Sequence, residues 1–127
     1  MVIVGDCELK SMSLLNDRME QIYKERQKIW DNTFDEDYYA LNKVWTKEID
    51  VLCENMDDTI RYLNEECPGY GFVWISEVME DVAERTQSLE FVETLYKIVE
   101  KYPEETKEYN IMSFVNGSRD CLKQFWN

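Results

Sequence analysis

The chain reads as one all-α domain, five or six antiparallel helices arranged as a bundle or a short α-solenoid. Three observations predict this. Apolar residues recur at steps of three and four along almost the whole chain. Glycine (4) and proline (2) are too scarce for the many tight turns of a β fold. Hydrophobic residues make up 44% of 127 residues, enough to bury a real core. Residues 1–127 are therefore read as a single domain.

From about Ser11 to Trp30, Leu15, Met19, Ile22 and either Ile29 or Trp30 fall on one face. Bases gather in the second half, where a helix C-terminus favours them, and Asp31-Asn32-Thr33 reads as a turn. Asp35 is the expected N-cap of the next segment. There Tyr38, Leu41, Trp45, Ile49, Leu52, Met56, Ile60 and Leu63 keep the period to about Glu66. One helix from 35 to 66 would far exceed the usual length, so a break near Asn55 with Asp57 as cap is favoured over a continuous rod. Cys67-Pro68-Gly69-Tyr70-Gly71 reads as a loop. Phe72-Val73-Trp74-Ile75 is expected to be a buried lead-in to a helix capped by Ser76.

In that helix Val78, Met79, Val82 and Ala83 lie on one side and Glu77, Glu80, Asp81 and Glu84 on the other. Ser88 caps the next, whose core positions are Phe91, Val92, Leu95, Ile98, Val99 and Tyr102, and Pro103 stops it. Glu104, Glu105 and Glu108 open a last helical region. It continues through Ile111, Phe114, Val115, Leu122 and Phe125, with a kink or junction at Asn116-Gly117.

Charge bounds the function. Asp and Glu number 27 against 14 Lys and Arg, a net −13. Residues 1–30 hold five of each sign, so the whole excess lies in 31–127. Such a field repels nucleic acid and anionic lipid and attracts basic partners. There is no histidine. Triads built on histidine are therefore excluded, and the commonest metal ligand is missing. No phosphate-binding glycine loop occurs. No segment approaches a membrane span, and the start of the chain lacks a secretory pattern. Cys7, Cys53, Cys67 and Cys121 are accordingly expected as reduced thiols in a cytoplasmic protein.

An acidic face with exposed aromatics suits capture of a basic protein. Opposite charge speeds encounter, and Tyr and Trp supply hot spots. The candidate contact residues are Asp57, Asp58, Tyr70, Trp74, Glu77, Glu80, Asp81 and Glu84. Tyr70, between two glycines, is the better interface candidate; for Trp74 core packing is the stronger competing role. No catalytic residue, cofactor or metal is expected. One enzymatic alternative remains. Glu77-x-x-Glu80 and Glu54-x-x-Asp57 resemble the paired carboxylates with which all-α nucleotide pyrophosphohydrolases hold Mg²⁺. Net charge counts against a nucleotide substrate.

The stretch Ser76-Glu77-Val78-Met79-Glu80-Asp81-Val82-Ala83-Glu84-Arg85-Thr86-Gln87-Ser88, running on to Tyr102-Pro103-Glu104-Glu105, resembles immunity proteins of bacterial contact-dependent growth inhibition and related polymorphic toxin systems. The resemblance covers about a quarter of the chain and transfers no residue by position. It implies a cytoplasmic, non-enzymatic inhibitor. Such a protein binds a basic toxin domain, often a nuclease, in a one-to-one complex and blocks its active site or substrate groove. A generic acidic adaptor or regulatory subunit is the remaining alternative.

Overall fold

A computed structural model describes the backbone of residues 3–126 and the side chains of residues 14–126. The described chain is all-helical: α1 (Ile3–Thr33), α2 (Tyr38–Glu54), α3 (Met56–Glu65), α4 (Gly69–Ser76), α5 (Met79–Thr86), α6 (Leu89–Lys101), α7 (Pro103–Glu108) and α8 (Ile111–Asp120), with a final 3₁₀ turn at Lys123–Phe125. The described residues thus form eight α-helices, against the five or six expected. The extra ones come from two places where the periodic reading ran segments together or missed one.

The first is α4. A helix replaces the expected loop and lead-in, and it starts at Gly69 directly after Pro68. Gly71, Phe72, Ile75 and Ser76 are buried and the outward positions Tyr70, Val73 and Trp74 are apolar or aromatic too, so the segment lacks a polar face to reveal its period. Gly71 lets α4 lie on α1, since a Cβ there would sit 2.8 Å from the Tyr23 hydroxyl. Ser76 is consequently no N-cap. It ends α4, its hydroxyl donating to the Val73 carbonyl at 2.5 Å, and α5 begins three residues later without a side-chain cap. The second place is the C-terminal region. Pro103 stops α6 as expected and also opens the short α7. Asn110, at φ 53°, then turns the chain into α8. Asn116-Gly117 is not a junction between two helices; it lies inside α8.

Other boundaries shift for identifiable reasons. Residues 31–33 extend α1, where Thr33 Oγ1 donates to the Ile29 carbonyl. The turn falls instead at Phe34 and Asp35, both left-handed at φ 51° and 65°. Asp37 caps α2 by accepting from Ala40 N, in place of Asp35. Residues 35–66 are two helices. Asn55, not Asp57, caps the second, accepting from Asp58 N, and Thr59 Oγ1 closes the joint onto the Leu52 carbonyl at 2.7 Å. Ser88 caps α6 through Phe91 N, as expected.

One core joins all of this. Met19, Leu52, Leu63, Phe72, Ile75, Met79, Phe91, Leu95 and Ile111 belong to a single buried cluster drawn from seven helices. α1 packs on α2, α3 and α4, α5 packs on α2 and α8, and α3 packs on α6. Contacts between helices distant in sequence make this a bundle-like domain; in a solenoid each unit touches only its neighbours. Cys53, Cys67 and Cys121 are free thiols, and burial pushes the Cys67 thiol up to about 12. Cys7 lies outside the residues whose side chains are described. No described helix is long and apolar enough to cross a membrane.

Candidate partner-binding surface

The core face of α1 runs Leu15, Met19, Ile22, Tyr23 and then, at the next helical step, Arg26. A guanidinium at a core position must find counter-charges, and this one does. Only 3% exposed, Arg26 donates from Nε and Nη2 to Glu77 at 2.7 Å each. It donates from Nη1 and Nη2 to Asp35 at 2.7 and 2.8 Å. Its Cζ lies 4.6 Å from the centre of the Trp74 ring. Burial opposes the charge, yet the hydrogen bonds to Glu77 and Asp35 outweigh it and hold the pKa above the ordinary arginine value. Glu77 also accepts from Trp45 Nε1 at 3.2 Å.

Behind this fork lies Glu48, one turn along α2 from Trp45. It is 1% exposed, and neither carboxylate oxygen has a hydrogen-bond partner. Burial raises its pKa well above the carboxylate range. The Glu77 charge pushes the same way, while Arg26 opposes.

In front of the fork the surface opens into a cleft of about 770 Å³. Aromatic side chains from four elements wall it: Trp30 of α1, Tyr70 and Trp74 of α4, Tyr109 after α7 and Phe114 of α8. Asp35, Glu77, Glu105 and Glu108 supply carboxylates, and Arg26 is the one base in the lining. Tyr70 is held in place from both ends. Its ring meets Tyr23 edge-on at 5.9 Å, and its hydroxyl donates to Glu20 at 2.6 Å, which pushes its pKa up to about 12. The volume falls in the range of binding clefts, roughly 300–1,000 Å³. Aromatic faces with carboxylates beside them suit a cationic side chain, which the ring quadrupoles and the acids attract together.

The sequence-predicted residues divide into three groups. Tyr70, Trp74 and Glu77 come together in the cleft. Glu77 leaves the expected acidic face because it lies in the turn before α5, with its carboxylate turned onto Arg26. Glu80, Asp81 and Glu84 stay on α5, next to α8. Together with Asp120 their charges add to burial in raising the Cys121 thiol, and a Cβ on Gly117 would meet the Glu80 carboxylate at 2.5 Å. Asp57 and Asp58 occupy the first turn of α3, where negative charge favours the helix dipole; Asp58 pairs with Arg61, and neither lines the cleft.

Arg26, Trp30, Asp35, Glu105, Glu108, Tyr109 and Phe114 were not anticipated. Arg26 alone left a sign in the sequence, a cation on an apolar helical face. The others meet only through the packing of α4 against α1, α7 and α8. The Glu54/Asp57 and Glu77/Glu80 pairs do not assemble. Glu54 is forked by Arg18 at 2.7 and 2.9 Å, and among the described residues no three acidic or cysteine side chains are grouped to hold a metal ion.

No known family model matches the chain, and no curated protein or solved structure matches it significantly.

Proposed function

We propose that this chain is a binding protein for a basic protein partner, and specifically a cytoplasmic immunity protein that neutralises a toxin domain in a one-to-one complex. The observation that carries the reading is the cleft. It combines aromatic walls with four carboxylates, and its only base is already neutralised by two of them. A basic side chain entering it meets carboxylates without displacing a competing free cation, and Trp30, Tyr70 and Tyr109 offer the aromatic chemistry of interface hot spots. The net charge of −13 adds long-range steering toward a positive surface. Inhibition then follows from occupancy: the acids stand where the partner's phosphate-bearing substrate would sit and pair with its Lys or Arg side chains.

The test is affinity capture from native lysate at low and moderate salt, followed by mass spectrometry and an activity assay on whatever is retained. The expected result is one basic protein, held one-to-one, whose activity falls as this chain is added. If no basic protein is retained in either salt, or the retained one keeps full activity, the inhibitor reading fails.

A further inference from the structure

Trp30, Phe34, Tyr38 and Tyr39 are 45%, 70%, 71% and 80% exposed. They are four of the nine exposed large hydrophobic side chains among the described residues, and they fall within ten positions. Trp30 is shared with the cleft, and Phe34 meets Trp30 edge-on at 5.5 Å. Trp30 and Phe34 therefore carry the aromatic lining from the cleft onto the α1–α2 turn, and Tyr38 and Tyr39 are exposed where α2 begins.

The turn is held firmly and at a cost. Phe34 and Asp35 are consecutive non-glycine residues in the left-handed region, a conformation that L side chains resist. Asp35 is fixed there by two bonds from the buried Arg26. Backbone bonds from Phe34 N to the Trp30 carbonyl and from Glu36 N to the Thr33 carbonyl close the turn, and Asp37 ties its far end to α2. Phe34 itself gains little burial from this arrangement. The segment also has a single sign: residues 30–39 contain Asp31, Asp35, Glu36 and Asp37 and no Lys or Arg. Asp31, Glu36 and Asp37 are in no ion pair among the described residues.

We propose that this aromatic, acidic turn is the edge on which the basic partner docks, through an apolar ridge flanked by arginine or lysine side chains. The inference rests on the basic-partner reading and gives it a location. Charge selects among occupants. A second copy would bring the same three unpaired acids and a net −13 against themselves, and nucleic acid is repelled for the same reason. Exposed Trp and Tyr side chains within a few residues of unpaired acids match the residue types that anchor protein interfaces.

Chemical-shift mapping on the isotope-labelled full chain tests this with two probes, a short peptide of alternating arginine and leucine and an oligo-arginine of equal charge. The expected result is that the arginine–leucine peptide moves the Trp30 indole signal and the amides of 34–39 and binds more tightly than oligo-arginine. A Phe34→Ala/Tyr39→Ala double variant, both positions being exposed, should keep its circular dichroism and lose about tenfold or more in affinity. Shifts confined to the Glu80–Glu84 side, with the double variant binding as the parent does, overturn the docking edge and leave the basic-partner reading standing. If neither peptide binds at low salt, both readings fall.

Discussion

On the side where α4 packs on α1 and α7, carboxylates, a buried guanidinium and five aromatic rings share one cleft. Where α5 meets α8, Glu80, Asp81, Glu84 and Asp120 supply as many carboxylates but stand on two short helices. Arg85 of α5 pairs with Asp50 at 2.7 Å, and both partners are open to solvent. Equal charge is thus used in two ways. At the cleft two of the four carboxylates, Asp35 and Glu77, are half-buried and hydrogen-bonded to Arg26, so they constrain geometry. On α5, Asp81 and Glu84 are exposed and worth little to structure. On the proposed reading, net charge would draw a basic partner toward either face, and among the described residues it is the cleft that sets aromatic side chains beside the acids.

The largest expected effect separates the faces directly. Arg26→Ala leaves Asp35, Glu77 and Glu48 facing one another without their counter-charge. Breaking a buried pair costs roughly 3–5 kcal/mol. Asp35 and Glu77 keep partial access to water, so we expect about 3 kcal/mol, read as a drop in the urea midpoint. Arg85→Ala should leave that midpoint where it was. Similar losses for the two would mean that the fork is no more than another surface pair.

The same glycine substitution can be made on each face. At Gly71 a Cβ would stand 2.8–2.9 Å from the hydroxyl and ring atoms of Tyr23, which is itself buried and bonded to Tyr62 at 2.7 Å. Neither α4 nor the ring can yield, so Gly71→Ala should cost about 1–3 kcal/mol through overpacking. At Gly117 the obstacle is the mobile end of Glu80. Once that carboxylate swings aside, alanine gains helix propensity, and Gly117→Ala should be neutral or stabilising by up to about 0.5–1 kcal/mol. Thermal melts of the two variants check the contrast.

These residues also mark what could be read from sequence. The all-α class, the Ser88 cap and the stop at Pro103 follow from periodicity and local chemistry, which act within a few residues. Local chemistry misplaced the first cap because Asp35, a good N-cap by type, is taken by Arg26 through the tertiary fold. It missed α4 because the face turned to the cleft (Tyr70, Val73, Trp74) is as apolar as the buried face (Gly71, Phe72, Ile75), so no contrast marks the period. Tyr70 and Trp74 were legible as candidates from the Pro/Gly-rich stretch in or beside which they lie, and Glu77 from an acidic helix face that it does not in fact join. Glu105, Glu108, Tyr109 and Phe114 were not, because only the docking of α7 and α8 brings them near.

Glu48 sharpens the comparison through pH. No acid on α5 is buried without partners, whereas Glu48 is. Its folded pKa is raised, first by burial and then by Glu77. Its contribution to stability is therefore fully present below the ordinary carboxylate pKa and is lost as pH rises through the raised folded value. Glu48→Met removes both the titration and the unsatisfied oxygens. The variant should be more stable than the parent near pH 7, by about 1 kcal/mol or more. The advantage should shrink steadily as pH falls toward the carboxylate range. A difference that stays flat with pH, measured by denaturant titration at several pH values, would show that Glu48 does not titrate between the two states.

The smallest effect bears most directly on function. Phe34 and Gln87 are both left-handed non-glycine residues, at φ 51° and 53°. Gln87 has a structural reason to be there. Its amide donates to the Glu84 and Cys121 carbonyls at 2.9 Å, and its oxygen accepts from Lys123 N at 2.8 Å, which ties the end of α5 to the end of α8. Gln87→Gly relieves strain but deletes three hydrogen bonds, and we expect a net loss of about 1–2 kcal/mol. Phe34 offers no such compensation, since its ring meets Trp30 at an exposed edge. Relief of strain and the added freedom of glycine in the unfolded chain nearly cancel, so Phe34→Gly should change stability by less than about 0.5 kcal/mol. The same variant should weaken binding of the arginine–leucine peptide. If instead Phe34→Gly destabilised the fold as much as Gln87→Gly, the exposed ring would be a structural element, and the strained turn would need no partner to explain it.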